Sequence, residues 1–294
     1  MWLTKPFLDY LKFERNYSEH TVTAYGEDLM QFQEFGKEEW GDFKPEQVDA
    51  TLVREWVVSL MDKGYTSTSV NRKLSALRAF FKYLLRNGEL ESDPMRKVVG
   101  PKNKKPLPVF VKEEEMERLL EGDCFGESFE ECRAKTVVEV FYATGIRLSE
   151  LIGLNDADVD FGAATIRVTG KRNKQRIIPF DQALKNSLEN YQARRNQEIP
   201  VREEAFFVRN DGKRLYPGLV ERIVKRSLSK VVTMKKRSAH VLRHTFATAM
   251  LNHEAELGAI KELLGHESLS TTEIYTHTTF EELKKVYNKA HPRG

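Results

Sequence analysis

The 294-residue chain carries 47 Lys plus Arg against 44 Asp plus Glu, a net charge of +3, which by itself is too small to mark a nucleic-acid binder. Cys124 and Cys132 are its only cysteines and lack a His-x-x-x-His partner, which argues against a zinc site or a disulfide framework and for reduced thiols. The opening MWLTKPFLDYLKFERN has charges in every short apolar stretch and no later segment approaches a membrane span, so the expectation is a cytoplasmic protein with no membrane partner.

That length implies two domains. The first 100 residues hold 14 basic and 16 acidic side chains, so the positive excess lies in the rest. They read as helices separated by turn signals. Ser18 caps a helix expected to end near Gly36, and TLVREWVVSLMDKG stops at Gly64. In SVNRKLSALRAFFKYLLRNG, Val70, Leu74, Leu77, Phe81 and Leu84 mark an apolar stripe, with Arg72, Lys73 and Arg78 largely off it on an expected solvated face. VVGPKNKKPLPVF then interrupts any helix with Pro101, Pro106 and Pro108, and its lysines follow no apolar period, so 98–107 is the expected linker between domains 1–97 and 108–294.

Beyond it, helices are expected near 112–121 and 133–144. ATIRVTGKRNKQRIIPF reads as a hairpin with Lys171 at its tip, and AFFVRN as a short strand ending in an Asn-Asp-Gly turn. Pro217 fits the first turn of a helix PGLVERIVKRSL. Three more helical segments follow: SAHVLRHTFATAML, ELGAIKELLG closed by Gly265, and one that Ser270 and Glu273 start as a capping box, with Tyr275 early on it. His240 and Arg243, three apart on a helix, share a face and therefore a target, and a guanidinium fork suits a planar anion such as carboxylate or phosphate. Arg147, after the Gly145 turn in FYATGIRLSELIGL, stands at the mouth of a helix-turn-helix corner.

In order, spacing and local context, ATGIRLSEL, GKRNK, HVLRHTFAT, LGHESLSTT and IYTH resemble the tyrosine recombinase (lambda-integrase type) family over about 108–294. The helical first hundred residues resemble that family's core-binding domain more weakly. The compact length and the ending YTHTTFEELKKVYNKAHPRG look most like its Xer branch, which resolves chromosome dimers; the recombinase of a mobile element and a non-cleaving DNA-binding accessory factor are the alternatives.

The resemblance implies a mainly α, two-domain DNA clamp: an all-helical core-binding domain and an α+β catalytic domain with a small antiparallel sheet. It makes Tyr275 the nucleophile that forms a 3′-phosphotyrosyl bond, and gives Arg147 and Arg243 the non-bridging oxygens. Lys171 becomes the donor to the leaving 5′-oxygen, with Lys174 as competitor, and His240 and His266 the proton-transfer and hydrogen-bonding partners. The partner is double-stranded DNA, bound by four protomers on two sites, with a paralogous recombinase or a DNA translocase as further partners and with the tail after Tyr275 docking on a neighbour or on its own domain. No cofactor and no metal are expected. Arg72, Lys102, Lys104, Lys105 and Arg172 are the expected phosphate contacts. Arg172 stands where the family commonly has glycine, so a positive φ there implies a strained turn.

Overall fold

The computed structural model describes residues 2–103, 109–170, 173–265 and 280–292. The chain divides into two compact units, Met1–Pro106 and Leu107–Gly294.

The first unit is built from α1 (Thr4–Asp9), which runs on into a π-helical turn Tyr10–Glu14, then α2 (Glu19–Trp40), α3 (Ala50–Asp62) and α4 (Ser67–Arg86). Each of the last three starts where a side-chain oxygen takes an orphan N–H: Ser18 from Thr21, Asp49 from Thr51 and Leu52, Thr66 from Ser69. The stripe Val70, Leu74, Leu77, Phe81 and Leu84 is buried. Gly36 does not end α2. The helix continues to Trp40, and Gly36 lacks a side chain because the Phe43 ring lies where a Cβ would stand.

Lys73 departs from expectation. It is buried, and its Nζ donates to Asp28 Oδ1 at 2.8 Å, while Arg72 donates from Nη2 to the same oxygen at 2.9 Å. Asp28, itself 1 % exposed, draws Lys73 inward because a buried carboxylate requires charged partners. The first half of the expected linker is also fastened. Val98 joins the core of this unit, Arg78 donates to its carbonyl at 3.1 Å, and Asn71 donates to the Pro101 carbonyl at 2.8 Å.

The second unit holds α5 (Glu113–Glu121), α6 (Phe129–Thr144), α7 (Leu148–Gly153), β1 (Val159–Asp160), β2 (Thr165–Thr169), β3 (Gln175–Pro179), α8 (Gln182–Glu198), α9 (Pro217–Leu228), α10 (Ala239–Asn252), α11 (Leu257–Leu264) and α12 (Phe280–Ala290). Helix α6 is buried along nearly its whole length and packs against α8, α9 and α10. The sheet is antiparallel in the order β1-β2-β3, and Thr169 pairs with Gln175 at the hairpin end. There Gly170 N–H donates to the Lys174 carbonyl at 2.7 Å, and Asn173 carries a φ of 60°. Asparagine tolerates that left-handed conformation better than most residues.

The segment AFFVRN forms only two isolated bridges, Asn155 to Ala205 and Val208 to Arg214. Phe206 and Phe207, adjacent in sequence, are both buried, which the two-residue alternation of a half-exposed strand does not allow. The turn after it forms as expected, with Gly212 at a φ of 78°. The end of the tail packs on its own unit. α12 packs against α10 and α11, and Tyr287 is fully buried with its ring stacked on His291 at 5.1 Å. Among the described residues no helix is long and apolar enough to cross a membrane.

Candidate active site

The site begins at Gly145, which ends α6 with a φ of 60°. A Cβ there would collide with the Phe246 ring and lie 2.8 Å from Leu264 Cδ2, so the chain turns tightly against α10 and α11. Two residues on, Arg147 takes the N-cap position of α7, and its N–H donates to Glu150 Oε2 at 2.7 Å. Helix α10, capped by Ser238, carries Arg243 on its buried face and His240 on its exposed one.

Three guanidinium groups converge on the carboxyl end of α11. Arg176 Nε donates to the Leu263 carbonyl at 2.7 Å, Arg243 Nη2 to the Leu264 carbonyl at 2.7 Å, and Arg147 Nη2 to the Gly265 carbonyl at 2.6 Å. These carbonyls have no partner inside the helix, and the helix dipole places partial negative charge on them. Arg243 also donates to the Gly145 carbonyl at 2.6 Å, which ties α10 to the α6–α7 corner.

One carboxylate balances the cluster. Glu150 is 3 % exposed, and its oxygens accept from Arg147 Nη1 at 2.8 Å and from Arg176 Nη1 and Nη2 at 2.7 and 3.0 Å. Burial alone raises its pKa, but the hydrogen bonds from Arg176 and from the Arg147 N–H outweigh burial and hold the carboxyl below its usual range. Burial, then the charge of Arg147, pulls Arg243 down to about 10, so it stays protonated at neutral pH. Among the described residues, three arginines and one glutamate leave a local charge of +2, suited to a phosphate diester. Arg147, with 38 % of its side chain exposed, faces solvent more than Arg176 at 14 %.

Of the expected catalytic residues, Arg147 and Arg243 come together on adjacent carbonyls, and His240 lies exposed one helical turn before Arg243. His244 is half-buried, and its ring lies 5.8 Å from that of His240. Lys171, His266 and Tyr275, with Lys104, Lys105 and Arg172, lie outside the described residues. The chain neighbours of two of them reach the site. A Cβ on Gly170, just before Lys171, would stand 3.3 Å from Glu150 Oε1 and 3.8 Å from Arg147 Nη1, and Gly265 directly precedes His266. Lys174, the competitor, is exposed. Lys102 is exposed as expected, whereas Arg72 is half-exposed and engaged by Asp28.

Glu150 and Arg176 were missed by sequence reasoning. Arg147-x-x-Glu150 has the spacing of an N-terminal capping pair, and Arg176 shares a strand face with buried Ile178, where a charge needs a partner. Among the aspartates of NDADVD, Asp156 is paired with Arg195 and Asp158 with Arg167.

A mainly helical fold in two units, one of them carrying a net-positive cluster of arginines, is an arrangement suited to a phosphate-bearing substrate. The phage integrase family model matches residues 109–282, and the model of the phage integrase N-terminal SAM-like domain matches residues 5–88. The chain is 43 % identical to tyrosine recombinase XerC of Chlorobaculum parvum, over 99 % of this chain and 94 % of that one, and 38 % identical to tyrosine recombinase XerC of Listeria innocua, over 99 % and 98 %. The crystal structure of XerH site-specific recombinase bound to difH substrate, a pre-cleavage complex, superposes with a TM-score of 0.70 at 24 % identity, covering 96 % of this chain and 83 % of that one. The chain belongs to the phage integrase family, as a tyrosine site-specific recombinase of the Xer type.

Proposed function

We propose that this chain resolves chromosome dimers by cutting and rejoining duplex DNA through Tyr275, in the cytoplasm, as four protomers on two sites. The observation that supports this reading best is the pairing of Arg147 and Arg243 on the adjacent carbonyls of Gly265 and Leu264, with their charges only partly balanced by Glu150.

In the reaction the Tyr275 phenol oxygen attacks phosphorus and the P–O5′ bond breaks. The phenol proton passes to the groups around His240, and Lys171 protonates the departing 5′-oxygen. Arg147 and Arg243 hold the non-bridging oxygens where negative charge grows in the pentacoordinate transition state, each such contact contributing about 3 kcal/mol. His266 donates to a phosphate oxygen. The phosphodiester energy is kept in the 3′-phosphotyrosyl ester, so the reverse step rejoins the strand. Lys102, Lys104, Lys105, Arg72 and Arg172 lie along the backbone; Arg72 does so from a guanidinium that Asp28 has already oriented. A paralogous recombinase and a DNA translocase are the further partners in this reading.

The test is covalent capture from genomic DNA fragments, followed by sequencing of the attached ends, with Tyr275→Phe in parallel. Joined ends at one chromosomal site, lost in Tyr275→Phe, are expected. Ends at the boundary of a mobile element would transfer the same chemistry to that role. An absence of joining would leave a DNA-binding accessory factor.

A further inference from the structure

Arg176 has no place in the set of residues expected to touch DNA, yet its donors are spent on partners within the protein. Its Nε is spent on the Leu263 carbonyl and both Nη atoms on Glu150, and its side chain is only 14 % exposed. It therefore faces the protein. Arg147 differs in having one Nη on Glu150 and one on the Gly265 carbonyl, with 38 % of its side chain exposed.

Glu150 Oε1 accepts from both Arg147 and Arg176. With Arg176 in place, the carboxylate's charge is shared and the cluster keeps +2. Without it, Glu150 is a buried anion with one cationic partner, and the cluster keeps +1. Coulomb attraction at about 3 Å in a partly buried site then draws Arg147 onto Glu150 and away from any phosphate. The same side chain joins β3 to the last turn of α11, whose neighbouring carbonyls seat Arg243 and Arg147.

We infer that Arg176 is a positioning residue for strand cleavage: by sharing Glu150 and holding the Leu263 carbonyl, it keeps that carboxylate from neutralising Arg147, which thereby retains charge for the scissile phosphate, and it fixes the α11 end on which both phosphate-binding arginines rest. This rests on the reading of Arg147 and Arg243 given above.

The test compares the parent with Arg176→Ala, Arg176→Lys and the double variant Arg176→Ala/Glu150→Gln, using initial rates of covalent joining to the same genomic fragments and filter retention of those fragments. Arg176→Ala should join about 10- to 100-fold more slowly, the size found when the partner that orients a metal ligand is removed, with retention within about twofold of the parent because many other phosphate contacts carry affinity. Arg176→Lys, which keeps the charge without the fork, should recover part of the rate. The double variant should be faster than Arg176→Ala, because neutralising Glu150 releases Arg147 again. A purely structural role predicts the reverse, with the second substitution adding damage.

Joining by Arg176→Ala at the parent rate, an equal loss of retention and joining, or a double variant slower than the single one would each overturn the inference. Titration with inorganic phosphate, followed on the arginine Nε–H resonances, separates it from the functional reading. If the parent joins no DNA, that reading fails, while weaker phosphate binding by Arg176→Ala still supports the role of Arg176 and unchanged binding refutes it.

Discussion

Replacing Gly145 by alanine tests the corner on which the site is built. The residue has a φ of 60°, which costs an L-residue about 1 kcal/mol or more. The added Cβ also meets the Phe246 ring and Leu264 Cδ2, both in a close-packed core, and overpacking of that kind costs about 1–3 kcal/mol. Gly145→Ala should therefore destabilise the second unit by about 2–4 kcal/mol. Gly153→Ala is the matched control: it is exposed at the end of α7 with nothing within 4 Å of an added Cβ, and it should be neutral or stabilising by up to about 1 kcal/mol. The assay is urea unfolding followed by far-UV circular dichroism. Tryptophan fluorescence serves as an internal reference, because Trp2, Trp40 and Trp56 all lie in the first unit. The effect extends to chemistry, since the Gly145 carbonyl accepts from Arg243. Under conditions where Gly145→Ala is folded, DNA joining should still fall, towards the roughly hundredfold loss of one preorganised phosphate contact. Equal stability of the two glycine variants would refute the packing argument, and a folded Gly145→Ala protein with parental joining would refute the link to Arg243.

Asp28→Ala leaves Lys73 buried without its carboxylate and should cost the first unit about 3–5 kcal/mol, read by tryptophan fluorescence in urea; a loss below about 1 kcal/mol would show that the pair is inessential. Glu150 has a folded pKa depressed below its ordinary 4.5, so its contribution to stability is present above that value and is lost as pH falls through the lower folded pKa. The second unit should accordingly lose stability below about pH 4.5, and Glu150→Gln should flatten that part of the pH profile. Lys171→Ala should slow joining while a substrate with a 5′-bridging sulfur, a leaving group that needs no proton, restores the rate; parental joining of the ordinary substrate would remove Lys171 from the site. Lys102→Ala should weaken DNA retention uniformly across sequences and reduce the salt slope by about 1, whereas an unchanged slope would take Lys102 off the backbone.

What could be read from the chain was local. Ser18 accepts an N–H bond of its own helix, and Gly145 and Gly265 take the left-handed conformation that their place after an apolar run required. The spacing of His240 and Arg243 placed them one turn apart on α10, but the shared face it implied is not found: His240 is exposed and Arg243 buried, because Arg243 turns inward to the Gly145 and Leu264 carbonyls. The unreadable parts depend on partners far away in sequence. Lys73 looks like a solvated lysine until α2 brings Asp28 beneath it, and nothing within a turn of Lys73 announces that carboxylate. Val98 to Pro101 reads as linker because its prolines stop helices, but the donors that hold it, Asn71 and Arg78, belong to α4. Phe206 and Phe207 have strand propensity, but both are buried, so tertiary packing overrides the alternation that a ladder needs.

The arginine cluster also shows why motif spacing locates the site's parts without its electrostatics. Three guanidinium groups in one partly buried place repel one another, and the lowered pKa of Arg243, caused by burial and then by Arg147, records that cost. A second carboxylate would cut the net charge to +1, easing the repulsion but weakening the attraction for a phosphate. Instead, three successive carbonyls at the end of α11 each receive one guanidinium, so partial dipole charge steadies the cations without cancelling them. This division of labour, one full negative charge on Glu150 and the remainder from backbone dipoles, leaves the cluster net positive and fixed in direction. In the proposed reaction, a transition state that gains negative charge on phosphorus oxygens would be met by groups that need not reorganise, which is the condition under which electrostatic stabilisation lowers a barrier most.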